Sequence, residues 1–100
     1  MEKMNKIVYN SCYGGFALSN KGISRLKELG AEYNKDYGFY YIKRHDYRLI
    51  QTIEELGEEA SGTCSKLKID TIYGDRYRID EYDGRETVIE PSDGEWIVIK

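Results

Sequence analysis

The sequence predicts a single α+β domain spanning residues 1–100: a β-α-β-α segment followed by a four-stranded antiparallel meander, with both helices packed on one sheet face. Three observations carry that prediction. Apolar residues recur at helical spacing after two good helix-capping residues, Ser19 and Asp46. From Lys66 onward the apolar period changes to two. Two glycine-containing turn pairs, Gly74 with Asp75 and Asp83 with Gly84, then punctuate the alternating half. One hundred residues with 40% apolar content and one proline suit one folded domain with a modest core.

The first strand is "NKIVYNS" (5–11), centred on Ile7, Val8 and Tyr9. A glycine-rich loop follows, and Ser19 then caps a helix over about 20–29. Leu18 and Ile23 have the spacing of a hydrophobic staple; Ile23, Leu26 and Leu29 share a face, and Gly30 is a natural stop. The aromatic, β-prone "YGFYYIK" (37–43) is the second strand. Asp46 caps a second helix, about 47–60, with Leu49, Ile53, Leu56 and Ala60 near one stripe. Glu54, Glu55, Glu58 and Glu59 form its solvated face.

In "KLKIDTIY" (66–73), Leu67, Ile69, Thr71 and Tyr73 alternate with Lys66, Lys68, Asp70 and Ile72. Gly74-Asp75 reverses the chain into "RYRIDEY" (76–82), and Asp83-Gly84 closes a two-residue hairpin with "RETVIE" (85–90). A turn over Pro91 to Gly94 leads to "EWIVIK" (95–100). The hairpin sets Tyr82 opposite Arg85 and Glu81 opposite Glu86. Two facing carboxylates repel. They either point to water or hold a cation or a basic residue of another subunit.

Net charge is −3 and unevenly spread. Residues 1–50 hold nine Lys/Arg against five Asp/Glu, and residues 51–100 hold six against thirteen. An acidic chain of this kind is not expected to bind duplex nucleic acid, although its basic half suits a small anion. Oppositely charged halves also favour a homo-oligomer. No run approaches the ~18 apolar residues that a membrane helix needs, so a cytoplasmic protein without a membrane partner is expected. Cys12 and Cys64 are then expected as free thiols; with one histidine and no CxxC or HxxxH spacing, they make no zinc set. Ten tyrosines stand against two phenylalanines and one tryptophan. Such a surplus fits either binding surfaces or amphipathic sheet positions.

The stretch "NSCYGGFALSNKG" (10–22) concentrates the functional question. As a nucleophile, Cys12 would sit between a strand and a helix N-terminus, where a thiolate is favoured. A cysteine phosphatase needs an arginine six residues on, and that position is Leu18. The one histidine, His45, has Asp46 beside it on the chain, which is poor geometry for a triad. No catalytic residue, metal or cofactor is therefore expected. As an anion cradle, the loop offers backbone N–H groups and a helix start. Neither GxGxxG nor GxxxxGK[ST] is present, so the site would be generic. A plain tight turn is the third reading.

The ordered set "IVYNSCYGGFALS", "RHD", "EELGEEASG", "LKI" and "IDEYDGRE" resembles a family of small bacteriophage proteins. Its members show a CYGGFGLS-type loop, an RHDP-type segment, a glutamate-leucine-glycine helix end and an EEYDG-type hairpin. Ala17 replaces the loop's usual glycine, and Tyr47 the usual proline. The resemblance implies a phage or prophage accessory protein acting in the host bacterial cytosol, and supplies no catalytic residues. The expected function is anti-defence: non-enzymatic sequestration of a small anionic nucleotide-derived signal. Tyr13 and Phe16 would stack on a base, and Gly14, Gly15 and Ser19 would donate hydrogen bonds. Arg44 would pair with phosphate, and His45 with ribose or phosphate. The alternative is an inhibitor that binds a host defence enzyme through a tyrosine-rich, acidic surface.

Overall fold

Adjacent residues of a strand point to opposite faces, so two adjacent, fully buried apolar residues require a core on each side. Ile7 and Val8 are such a pair, and they set the layering. The computed structural model describes residues 4–39, 41–90 and 97–99, with backbone alone for 97 and 98. In it β1 (Met4–Asn10) pairs antiparallel with β2 (Leu67–Tyr73), Val8 opposite Ile69. On one side, Val8 joins Leu26, Leu49, Ile53 and Phe39 in the larger core beneath α1 (Asn20–Glu28) and α2 (Tyr47–Leu56). On the other side, Ile7 meets Ile72 and Tyr77, with Ile79, Val88 and Ile99 around them. That second core belongs to a sheet of β3 (Arg76–Tyr82), β4 (Arg85–Ile89) and β5 (Ile97–Val98), in the order β4-β3-β5.

The domain is thus α+β, but the four-stranded meander does not form. β2 pairs with β1, and β5 takes the edge of β3 that a meander would give to β2. Gly74-Asp75 passes the chain from one sheet to the other. The strand expected at 37–43 is also absent among its described residues, and the partner of β1 is β2. Asn34 instead closes the 34–38 segment on itself. Its Oδ1 accepts from the N–H groups of Asp36 and Tyr37, and it exchanges backbone hydrogen bonds with Gly38. Phe39 turns inward while Tyr37 and Tyr41 stay exposed. Both faces of the alternating 66–73 stretch are used: Leu67 and Ile69 pack with the larger core and Ile72, on the opposite face, with the second, while Tyr73 is exposed.

Both helices start where expected. Ser19 Oγ accepts from Gly22 N–H, and Asp46 Oδ1 from Arg48 N–H. The second helix is shorter than expected. At Gly57 the backbone takes a φ of 58°, ending α2 at Leu56, and a 3-10 turn (Gly57–Ala60) follows. The Asp83-Gly84 turn has φ of 51° and 88°, and sets Tyr82 opposite Arg85 and Glu81 opposite Glu86. The expected Pro91–Gly94 turn lies outside the described residues.

The charged halves meet within the chain. Lys6 pairs with Glu54, Lys21 with Glu59, Arg25 with Glu55, and Arg44 with Glu86. Three of the glutamates expected on a solvated face therefore carry cationic partners, though such exposed pairs add little stability each. Among the described residues, no helix is long and apolar enough to cross a membrane.

Candidate functional site

The two central glycines of the 10–19 loop answer different needs. An ideal Cβ on Gly14 would lie 1.6 Å from the carbonyl oxygen of Cys64, so any side chain there collides with backbone. Gly15 has no such neighbour but adopts a φ of 88°. The hairpin tip closes on the same loop, since a Cβ on Gly84 would come within 2.5 Å of Gly15 N and Tyr13 O. Asn10, fully buried, ties these strands of backbone together. Its Nδ2 donates to the carbonyls of Cys12 (2.7 Å) and Gly84 (2.8 Å), and its Oδ1 accepts from Lys66 N–H (2.8 Å). The loop is where three backbone segments touch.

The helix start beside it is also covered. Ser19 N–H donates to the Ala60 carbonyl, and Ser19 Oγ donates to the Glu59 carbonyl while accepting from Gly22. Tyr13, 61% exposed, stands apart at the hairpin tip, where the Arg85 guanidinium lies 5.9 Å from its ring centroid. Cys12 Sγ lies 3.0 Å from the Cys64 carbonyl oxygen and 3.5 Å from Asn10 Oδ1, and neither partner is a base.

Of the residues singled out in the sequence, the fold brings Phe16 and Arg44 together. The guanidinium lies 3.7 Å from the Phe16 ring centroid. Its other contacts go to Glu86: Nη1 to Oε1, and Nη2 to Oε2 at 2.9 Å. Glu86 Oε1 also accepts from Asn10 N–H at 2.8 Å. With 16% and 8% of the two side chains exposed, this is a nearly dry, bidentate pair. Arg44 is engaged inside the protein, and Glu86 resolves the carboxylate opposition by turning to it while Glu81 stays exposed. That opposition was the one signal in the sequence that Glu86 needs a cation.

His45 points to the other core. Its Nδ1 is 2.7 Å from the Tyr77 hydroxyl, with the two rings edge to face. Burial lowers the His45 pKa from its ordinary value, the Lys43 charge adds to this, and Asp46 opposes it. Burial pushes the Tyr77 phenol up to about 12, against the opposing effects of Arg44. The phenol keeps its proton at neutral pH.

The open surface lies elsewhere, around the segment diverted from strand formation. A groove of about 900 Å³ is floored by Phe39 and Ile42, with Tyr33, Tyr41, Lys35 and Lys43 on its walls. Next to it, sharing Gly38 and Phe39, is an apolar notch of about 200 Å³ walled by Phe16, Leu18, Ile23 and Tyr37. Tyr33 meets Phe39 edge to face at 5.2 Å, and Tyr37 meets Tyr41 at 5.4 Å. Lys27 covers one face of the Tyr33 ring at 4.0 Å. Arg48, also in the groove, is committed to Asp46 and to the Gly30 carbonyl. Lys35 and Lys43 carry no ion pair among the described residues. Sequence reading counted these tyrosines but assigned 37–43 to a strand, which hid their gathering on one surface.

Among the described residues no cluster of His, Cys, Asp and Glu is placed to hold a metal ion. No protein-family model, curated protein or solved structure matches the chain.

Proposed function

We propose that the protein is a non-catalytic binding protein that docks onto a protein partner through the groove and notch around residues 31–43. The observation that carries this reading is the adjacency of the tyrosine-walled groove and the apolar notch over one shared residue, Phe39. Tyrosines give large contact area at low conformational cost, and a small apolar pocket beside them accepts an anchoring side chain. Tyr37, 58% exposed, walls the notch and meets the groove-lining Tyr41 edge to face. His45 lines neither hollow and is held by the Tyr77 hydroxyl. The resemblance to phage accessory proteins supports a host defence enzyme as the partner.

A second reading has its own observation. Lys35 and Lys43 line the groove beside aromatic rings with no ion pair among the described residues, which suits a nucleotide-like anion, although Glu32, Asp36 and Asp46 line it too. The test sets wild type and Tyr37→Ala as baits against bacterial lysate, followed by calorimetry with the purified captured protein and with a panel of cyclic and ADP-ribose-type nucleotides. A partner that binds wild type and loses affinity for Tyr37→Ala supports protein docking. Nucleotide binding that is lost in a Lys35→Ala, Lys43→Ala double variant moves the function to the second reading.

A further inference from the structure

We infer that Cys12 and Cys64 form a reversible intramolecular disulfide, which staples the 10–19 loop to the segment that leads into β2. Both are free cysteines, and they differ in access: Cys64 is exposed and Cys12 half-buried. The Cys12 sulfur already rests 3.0 Å from the carbonyl oxygen of Cys64 itself. Two residues on, an ideal Cβ at Gly14 would fall 2.5 Å from Cys64 Cβ, so the two backbones are in contact where the thiols lie. A disulfide needs its Cα atoms within about 7 Å and its Cβ atoms turned toward each other. Glycine at position 14 permits that approach. Both cysteines sit on loops, outside the strand ladders, so turning the side chains sacrifices no sheet hydrogen bond.

The difference in exposure gives the order of events. With a low-molecular-weight disulfide such as oxidised glutathione as oxidant, the Cys64 thiolate attacks one of its sulfurs. A Cys64–glutathione bond forms, and one glutathione thiolate leaves. The Cys12 thiolate then attacks the Cys64 sulfur, closing the Cys12–Cys64 bond and releasing the second glutathione. Two electrons pass from the protein dithiol to glutathione, and the two thiol protons end in solvent or on the glutathione thiolates. The staple closes a long loop of chain, which restricts the unfolded state more than the folded one. It also fixes the loop whose Phe16 and Leu18 wall the apolar notch.

The full-length protein is equilibrated in glutathione buffers of stepped oxidised-to-reduced ratio, then alkylated, weighed intact and mapped by proteolysis. The monomer is expected to lose two hydrogens, yield a linked pair of peptides containing residues 12 and 64, and melt at a higher temperature than the reduced protein. Dithiothreitol should reverse all three changes. Cys12→Ser should stop at the Cys64–glutathione adduct, and Cys64→Ser should give no linked pair. Wild type that stays reduced, stops at the adduct or forms covalent dimers through Cys64 overturns the inference. A linked pair that melts below the reduced protein overturns the staple.

Discussion

Arg44 and Glu86, 42 residues apart in sequence, hold each other through two parallel hydrogen bonds in the seam between the glycine loop and the β3-β4 hairpin. A pair this buried gains little net energy while intact, but removing one partner strands the other charge. Arg44→Ala and Glu86→Ala should each lower stability by about 3–5 kcal/mol in urea titration. Replacing both, Arg44→Met with Glu86→Leu, should recover part of that loss. The remainder, about 1–3 kcal/mol, reflects the Asn10 N–H left without an acceptor. Single-variant costs below about 1 kcal/mol, the range of exposed pairs, would show the pair to be solvated.

The two glycines of the loop are distinguishable by alanine. Gly14→Ala drives a methyl group into the Cys64 carbonyl and should cost about 3 kcal/mol, the upper range for overpacking. Gly15→Ala meets nothing within 4 Å and should cost about 1–2 kcal/mol, the strain of a side chain at its left-handed φ. Equal melting-point losses would remove the Gly14–Cys64 contact from the fold.

Acid should weaken the protein through His45. Its pKa is lower folded than unfolded, so the unfolded chain binds the extra proton first as pH falls. The stability linked to neutral His45 is present above the unfolded value near 6.5 and declines as pH drops from there through the folded value. The urea midpoint of wild type should fall between pH 7.5 and pH 5, and His45→Gln should flatten that slope. Asp46, held below its ordinary value chiefly by its hydrogen bonds from the Arg48 side chain, loses stability at more acid pH and is separated by working above pH 5. An unchanged slope in His45→Gln would assign the acid sensitivity to another group.

Local signals in the sequence were legible because they act over a few residues. The Ser19 and Asp46 caps, the start of each helix and the register of the Asp83-Gly84 hairpin all follow from such short-range chemistry. Strand pairing was not legible, because the alternating pattern of β2 suits either β1 or β3 as its neighbour. Nor was the loop at residues 34–38. There Asn34 competes for the backbone with its own side chain and defeats the β propensity of the aromatic run. The pairing of Arg44 was hidden for a related reason. Arg44 is read as available for an anion only as long as Glu86, 42 residues away, is not known to face it.

The exposed tyrosines offer the sharpest test of function. Tyr37 and Tyr41 are 58% and 72% exposed and meet edge to face, so truncating Tyr37 should change stability by no more than about 1 kcal/mol. At a docking surface the same truncation removes a central anchor, and a loss of about 2 kcal/mol, near 30-fold in Kd, is the expected scale. Tyr73 serves as the control: it is 59% exposed and lines neither the groove nor the notch. Calorimetry against the captured partner should therefore show a large loss for Tyr37→Ala, a loss for Tyr33→Ala, and wild-type affinity for Tyr73→Ala. Melting curves of Tyr37→Ala and Tyr73→Ala should stay close to wild type, which separates lost contact from lost fold, whereas Tyr33→Ala, whose ring packs on the buried Phe39, is read against its own melting curve. If Tyr73→Ala weakens binding as much as Tyr37→Ala, the partner reads general tyrosine content and the groove is not its site.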